Sequence, residues 1–178
     1  MVEIKYDRHK EEWEDCLSKK DRIKVAESWM KSGTFDRWRH ERMLKKILPF
    51  INEDSEWLTI GDGRYGTDAN FIIRNGGKAH ATDISDKLLK IGKEKGFIQD
   101  FSQQNAEDLN FKNNSFDYVL IKEAFHHFPR PWIALHEAFR VCKKGVLLIE
   151  PNDEVSFCLK ILKKIIGKNI DNFGFEPK

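Results

Sequence analysis

Apolar and polar positions along this chain of 178 residues follow two rhythms. Over 8–31 the apolar positions Trp13, Leu17, Ile23, Val25 and Trp29 are scattered among polar ones, which predicts one or two polar helices that Ser32-Gly33 break. The stretch 35–51 reads as a further helix with Phe35, Trp38, Met43, Leu44, Ile47 and Leu48 on a broad apolar face. From Trp57 strand-like runs alternate with helix-like ones: 57–60 then 68–74, 79–82 (opening at Lys78) then 85–95, 100–103, 116–122 then 131–141, and 145–150 then 154–166. That alternation predicts an α/β fold, a doubly wound, mostly parallel sheet of about five strands with helices on both faces. Asn75-Gly76-Gly77 closes the first of these helices, Pro131 suits a first helical position, and Ser85 and Asp86 after Asp83 are expected to cap the second. The expected organisation is a helical N-terminal cap over 1–51 and a sheet domain over 52–178, together one structural unit.

Composition narrows the function classes only a little. Apolar content of 40% and charged content of 34% are ordinary for a soluble globular protein, and this length buries a core without a staple. A net charge of +2 does not imply a nucleic-acid partner, and none is expected. Cys16, Cys142 and Cys158 never form a C-x-x-C pair, which fits a reduced, cytoplasmic setting and argues against a disulfide framework or zinc site. The charged N-terminus lacks the apolar core of a signal peptide, and no apolar run approaches the ~20 residues of a membrane span. Residues 19–46 carry ten basic and four acidic side chains. They read as a solvated helical face, the alternative being a lid that brings cations to an anionic substrate or a cofactor carboxylate. The final basic amphipathic stretch, VSFCLKILKKIIGK, reads as a helix covering the sheet, the alternative being attachment to a membrane surface.

The chemistry concentrates at one turn. The strand over 57–60 runs into Gly61, Gly63 and Gly66, and a helix follows, so the backbone can turn sharply and present helix N–H groups to a ligand. The next strand ends at Asp83, where an acid commonly accepts from the two hydroxyls of an adenosine ribose. The spacing Gly61-x-Gly63-x-x-Gly66 matches the dinucleotide fingerprint, but S-adenosylmethionine sites also use glycines at this turn. No Gly-Lys-Ser/Thr follows, so a phosphate loop is excluded.

The segment NAEDLNFKNNSFDYV from Asn105, continued by LIKEAFHHFPRPWIALHEAFRVCKKGVLLIEP, separates the two cofactors. Together with the glycine turn and Asp83, it resembles the class I S-adenosylmethionine-dependent methyltransferases, especially their small-molecule branch, over about 57–151. The resemblance implies a Rossmann-like fold and S-adenosyl-L-methionine as cofactor. It also implies roles. Gly61, Asp62, Gly63 and Gly66 would form the turn under the methionine and ribose, and Asp83 would accept from both ribose hydroxyls. Ile84 would pack on the adenine, and Asn105 and Ala106 would meet its edge. Lys122 and Glu123 would lie beside the transferring methyl. Three positions depart from the family pattern: Thr59 stands where an acid is usual, the turn Gly63-Arg64-Tyr65-Gly66 is one residue longer, and no residues remain for the antiparallel hairpin that ends the family's sheet.

The implied reaction is displacement of the methyl from a sulfonium by an O, N or C nucleophile of a small molecule. For that the protein mainly aligns the partners and excludes water, and a base serves only an acceptor that must lose a proton. The candidate bases are His127 and Glu123, with a packed loop histidine and a salt bridge to Lys122 or Arg130 as their structural alternatives. Adjacent His126 and His127 do not make a metal site, and His9, His40, His80 and His136 read as surface or structural. Tyr118-x-x-x-Lys122 imitates a dehydrogenase pair, but in a strand four steps span roughly 13 Å. Trp38 and Arg39 precede the sheet in a segment that folds over the cofactor in related enzymes, although an aromatic there is more often core. Basic residues near the cap favour an anionic acceptor, and a sugar- or lipid-linked one also fits. An uncovered sheet edge would allow a homo-oligomer. An NAD-dependent oxidoreductase and a non-catalytic binding or assembly domain are the alternatives.

Overall fold

The structure, a computed structural model, describes residues 10, 11, 14, 15, 31 and 33–150, with Asp36 as backbone only. Most of the helical stretch expected over 8–31, the helix expected over 154–166, Cys16 and Cys158 lie outside the described residues. Strands β1 (Glu56–Ile60), β2 (Lys78–Asp83), β3 (Asp100–Gln103), β4 (Phe116–Lys122) and β5 (Cys142–Ile149) form one sheet in the order β3-β2-β1-β4-β5. Every pairing is parallel. Helices α1 (Phe35–Leu44), α2 (Thr67–Arg74), α3 (Lys87–Glu94) and α4 (Pro131–Val141) accompany it. The chain thus has the expected Rossmann-like architecture.

The two faces of the sheet read directly off alternate residues. Leu58 and Ile60 of β1 and Val119 and Ile121 of β4 pack with Ala134, Ala138 and Val141 of α4. Trp57 and Leu120 point the other way, into a layer with Phe71 and Ile72 of α2 and Leu44 and Ile47. A third cluster joins Ala69 of α2 and Ala81 of β2 to Leu89 and Ile98. Because β1 and β4 are buried on both faces, their apolar residues run nearly without interruption. Leu44 and Ile47 come from the segment expected as a cap, yet they are buried in the same core as the sheet.

Four local readings are corrected. The helix expected over 35–51 ends at Leu44 and tightens into a 3₁₀ turn over Lys45–Phe50, because Pro49 has no N–H and its ring crowds the preceding turn. Trp38 is 44% exposed rather than core, stacking on Phe35. The second helix of the alternation starts at Lys87, and Asp86 makes no side-chain capping bond. The last strand begins at Cys142, straight after α4, because pairing of Cys142 with Phe116 extends the ladder past Gly145. Among the described residues no helix is long and apolar enough to cross a membrane.

Candidate functional site

The strand order reverses between β1 and β4, and in open parallel sheets ligands sit outside the carboxyl ends of the strands at that point. The turn after β1 shows why the sequence needs glycines there. Gly61 has φ +77°, and a Cβ on it would lie 2.4 Å from the Ala124 Cβ. The N–H groups of Gly61 and Asp62 donate to the Thr82 carbonyl at 2.9 and 3.0 Å, stitching the turn to β2. Gly63 lacks a side chain because the Asp83 carboxylate fills that space, its Oδ2 2.7 Å from where a Cβ would stand. Tyr65 and Gly66 both adopt positive φ, 62° and 72°, which absorbs the extra residue of the turn.

Asp83 is buried, and the N–H of Ser85 donates to its Oδ1 at 3.0 Å. Burial pushes its carboxyl up to about 6, against the N–H groups of Ser85, Gly63 and Ile84 that favour the ionised form. Asp62 keeps its backbone in that turn, its N–H donating to the Thr82 carbonyl. Its carboxylate turns into the start of α2, accepting from the N–H groups of Asp68 (3.1 Å) and Ala69 (2.9 Å) and from the Thr59 hydroxyl (2.9 Å). Those are orphan donors of a helix N-terminus, so Asp62 serves as a cap from outside the helix. Burial and the neighbouring Asp68 carboxylate hold Asp62 well above the ordinary carboxylate range.

A cavity of about 190 Å³ opens over this turn. It brings together seven of the residues expected from sequence: Gly61, Gly63, Asp83, Ile84, Ala106, Glu123 and His127. Gly66 instead sits at the start of α2 against Ile98. Asn105 turns its side-chain carbonyl to the Glu107 N–H at 2.9 Å, and Gln104 lines the cavity beside Ala106. Lys122 and Asp62 line a smaller annex of about 30 Å³ that shares Gly61, Arg64 and Glu123 with the main cavity.

The annex is walled by a charged cluster, buried at Lys122 and Asp68 and partly exposed at Arg39. The Lys122 ammonium lies 3.2 Å from Asp68 Oδ1 and 2.9 Å from His40 Nδ1. Arg39 donates to Glu123 Oε1 at 2.8 Å, and Arg64 approaches His40 Nε2 at 2.6 Å. Burial alone would raise the Glu123 carboxyl, but His40, Lys122 and Arg39 outweigh it and hold the group far below the usual range. Glu123 also has φ +51°, a conformation that costs a non-glycine residue. His40, Arg64, Gln104, Phe128 and Pro129 were not found by motif reasoning. His40 stands 82 positions from Lys122 and carries no local pattern, so only the fold brings it here. Glu123 pairs with Arg39 and His40 rather than Arg130, whose partner is Glu107.

Residues 58–149, the stretch from β1 to β5 that builds this cavity, match the model of the methyltransferase domain family. The chain belongs to that family. The ubiquinone/menaquinone biosynthesis C-methyltransferase UbiE of Rhizobium meliloti is 34% identical to this methyltransferase domain over 136 residues, 72% of this chain and 52% of the relative. The chain therefore spans about half the length of the curated relatives it matches. Among solved structures, a SAM-dependent methyltransferase of Methanosarcina mazei superposes with a TM-score of 0.55 at 25% identity, covering 67% of this chain and 62% of the other. The YcgJ protein of Bacillus subtilis gives a TM-score of 0.56 at 25% identity, covering 71% and 56%.

Proposed function

We propose that this domain holds S-adenosyl-L-methionine in the cavity over Gly61 and Gly63 and transfers its methyl group to a small-molecule acceptor. The carrying observation is the Asp83 carboxylate, buried in the cavity lining and, among the described residues, hydrogen-bonded by backbone N–H groups. Such a group is an acceptor presented to paired hydroxyls, and the bare Gly63 leaves room for the carboxylate to stand there. Ile84 and Ala106 supply apolar walls for an adenine, and Gln104 a polar edge. The annex beside the cavity carries both signs of charge that a zwitterionic amino-acid end pairs with. Asp68 and Glu123 face an ammonium group, and Arg64 with Lys122 faces a carboxylate. In this reading these groups replace the acid missing at Thr59, since the Asp62 carboxylate is committed to α2.

Bound there, the sulfonium supplies an activated methyl. The protein's part is alignment and exclusion of water. His127, Phe128 and Pro129 form the wall from which an acceptor approaches. The apolar ring of Phe128 and the names of the ubiquinone/menaquinone relatives support a phenolic or quinone-type ring as acceptor. Methylation at a ring carbon then needs a base for the ring hydroxyl, and we assign that role to His127. Glu123 is too weakly basic to take a proton near neutrality, because its ion pairs favour the carboxylate so strongly. It anchors the charged cluster instead.

A thermal melt with S-adenosylhomocysteine, S-adenosylmethionine, NADH and ATP tests the cofactor. At one hundred times its dissociation constant a true ligand adds about 2.7 kcal/mol, a shift of roughly 5–10 °C at this size. A shift with the two sulfur compounds alone is expected. A shift with NADH alone would refute the reading.

A further inference from the structure

Five residues of the segment after β4 line the cavity: Glu123, Ala124, His127, Phe128 and Pro129. They lie in and around a single 3₁₀ turn, Phe125–His127, with no side-chain cap of its own. The N–H groups at the start of such a turn have no partner within it. Here the partner comes from the end of the neighbouring strand. Glu150, the residue after β5, accepts from the N–H of Ala124 at 3.2 Å and of Phe125 at 2.9 Å, both through Oε1. Its Oε2 pairs with His126 Nδ1. Just before it, the Ile149 carbonyl accepts from the Glu123 N–H at 2.7 Å. The backbone of 123–126 is thus held by β5 on one side, at the place where Glu123 takes its strained φ.

We propose that Glu150 is a positioning residue, whose Oε1 fixes the wall that His127 and Phe128 present to the cavity. The division of labour between its oxygens makes this testable. A glutamine keeps one carbonyl oxygen for the two amides and loses only the ion pair to His126. An aspartate is one methylene too short to serve both amides. An alanine removes the clamp. His126 lies against His127, with ring centroids 3.9 Å apart and the planes tilted by 44°, but it is not what holds the backbone.

This inference rests on the cavity being the cofactor site, and two readouts on the full chain keep the two ideas apart. Hydrogen exchange reads the protection of the Ala124 and Phe125 amides, and calorimetry reads S-adenosylhomocysteine affinity. In Glu150→Ala and Glu150→Asp, protection of both amides and affinity are expected to fall by about tenfold or more, while Glu150→Gln and His126→Ala stay within about twofold of the parent chain. Unchanged affinity in Glu150→Ala or Glu150→Asp would overturn the positioning role. A loss in Glu150→Gln as large as in Glu150→Asp would overturn the assignment to Oε1. If the parent chain does not bind S-adenosylhomocysteine at all, the cofactor reading fails, and amide protection still decides the clamp.

Discussion

The Asp83 carboxylate gives the sharpest test, because it sets stability against function at one atom pair. Burial carries its carboxyl from the ordinary 3.8 to about 6. At about 1.4 kcal/mol per pH unit, ionising it in the folded chain costs about 3 kcal/mol relative to the unfolded one. The sign follows from proton counting. Between those two values the folded chain holds a proton that the unfolded chain has released. The stabilisation is therefore complete below pH ~3.8 and lost as pH rises through about 6. Asp83→Asn has nothing to ionise. It gives up part of the bonding to the N–H groups of Ser85, Gly63 and Ile84, but that loss does not change with pH. Melting midpoints of the ligand-free protein and the variant, measured from pH 4.5 to 8, should diverge in the variant's favour. The full change corresponds to roughly 6–12 °C for a chain of this size. The same variant should show no thermal shift with S-adenosylhomocysteine, and the parent chain's affinity should weaken below pH ~6 as Asp83 takes up its proton. Parallel melting curves across the range would show that the carboxylate is as well solvated as in the unfolded chain, which would refute the buried-acceptor argument.

Other perturbations probe the parts around it. Lys122→Met should destabilise by about 3–5 kcal/mol in chemical denaturation, because it leaves the buried Asp68 carboxylate without its cation, and adding Asp68→Asn should recover part of the loss. Gly63→Ala forces a methyl to within 2.7 Å of Asp83 Oδ2, so a loss of about 1–3 kcal/mol and of S-adenosylhomocysteine binding is expected by melt and calorimetry. Asp62→Ala strips the start of α2 of its acceptor and should cost about 0.5–2 kcal/mol in the same denaturation assay. With a phenolic acceptor, His127→Ala should lower methyl transfer by about 10²–10⁴-fold at saturating cofactor, which single-turnover kinetics would read.

The layered fold is legible in the sequence, because its signals are local and repeated. Five apolar runs separated by amphipathic ones leave little besides a parallel sheet, and each strand and helix of the alternation up to Ile149 is present among the described residues. The sequence also marked the glycine turn and Asp83, since contact between a bare backbone and a ligand-binding acid requires particular residues at fixed spacing. Boundaries were less legible. Pro49 alters the helix type within a continuous apolar face, and β5 begins where cross-strand pairing, not local pattern, recruits Cys142. The tertiary structure alone decided how charge is shared at the site. Nothing local in Asp62 tells that its carboxylate caps α2, or in Glu123 that Arg39 and His40 pair with it across more than eighty residues. Nor does Glu150 announce that it holds the backbone of Ala124 and Phe125. The Glu123 and Glu150 contacts join elements distant in sequence, and the Asp62 contact spans an irregular turn. Coulomb and hydrogen-bond energies depend on where a folded chain places its groups, which a periodicity cannot encode.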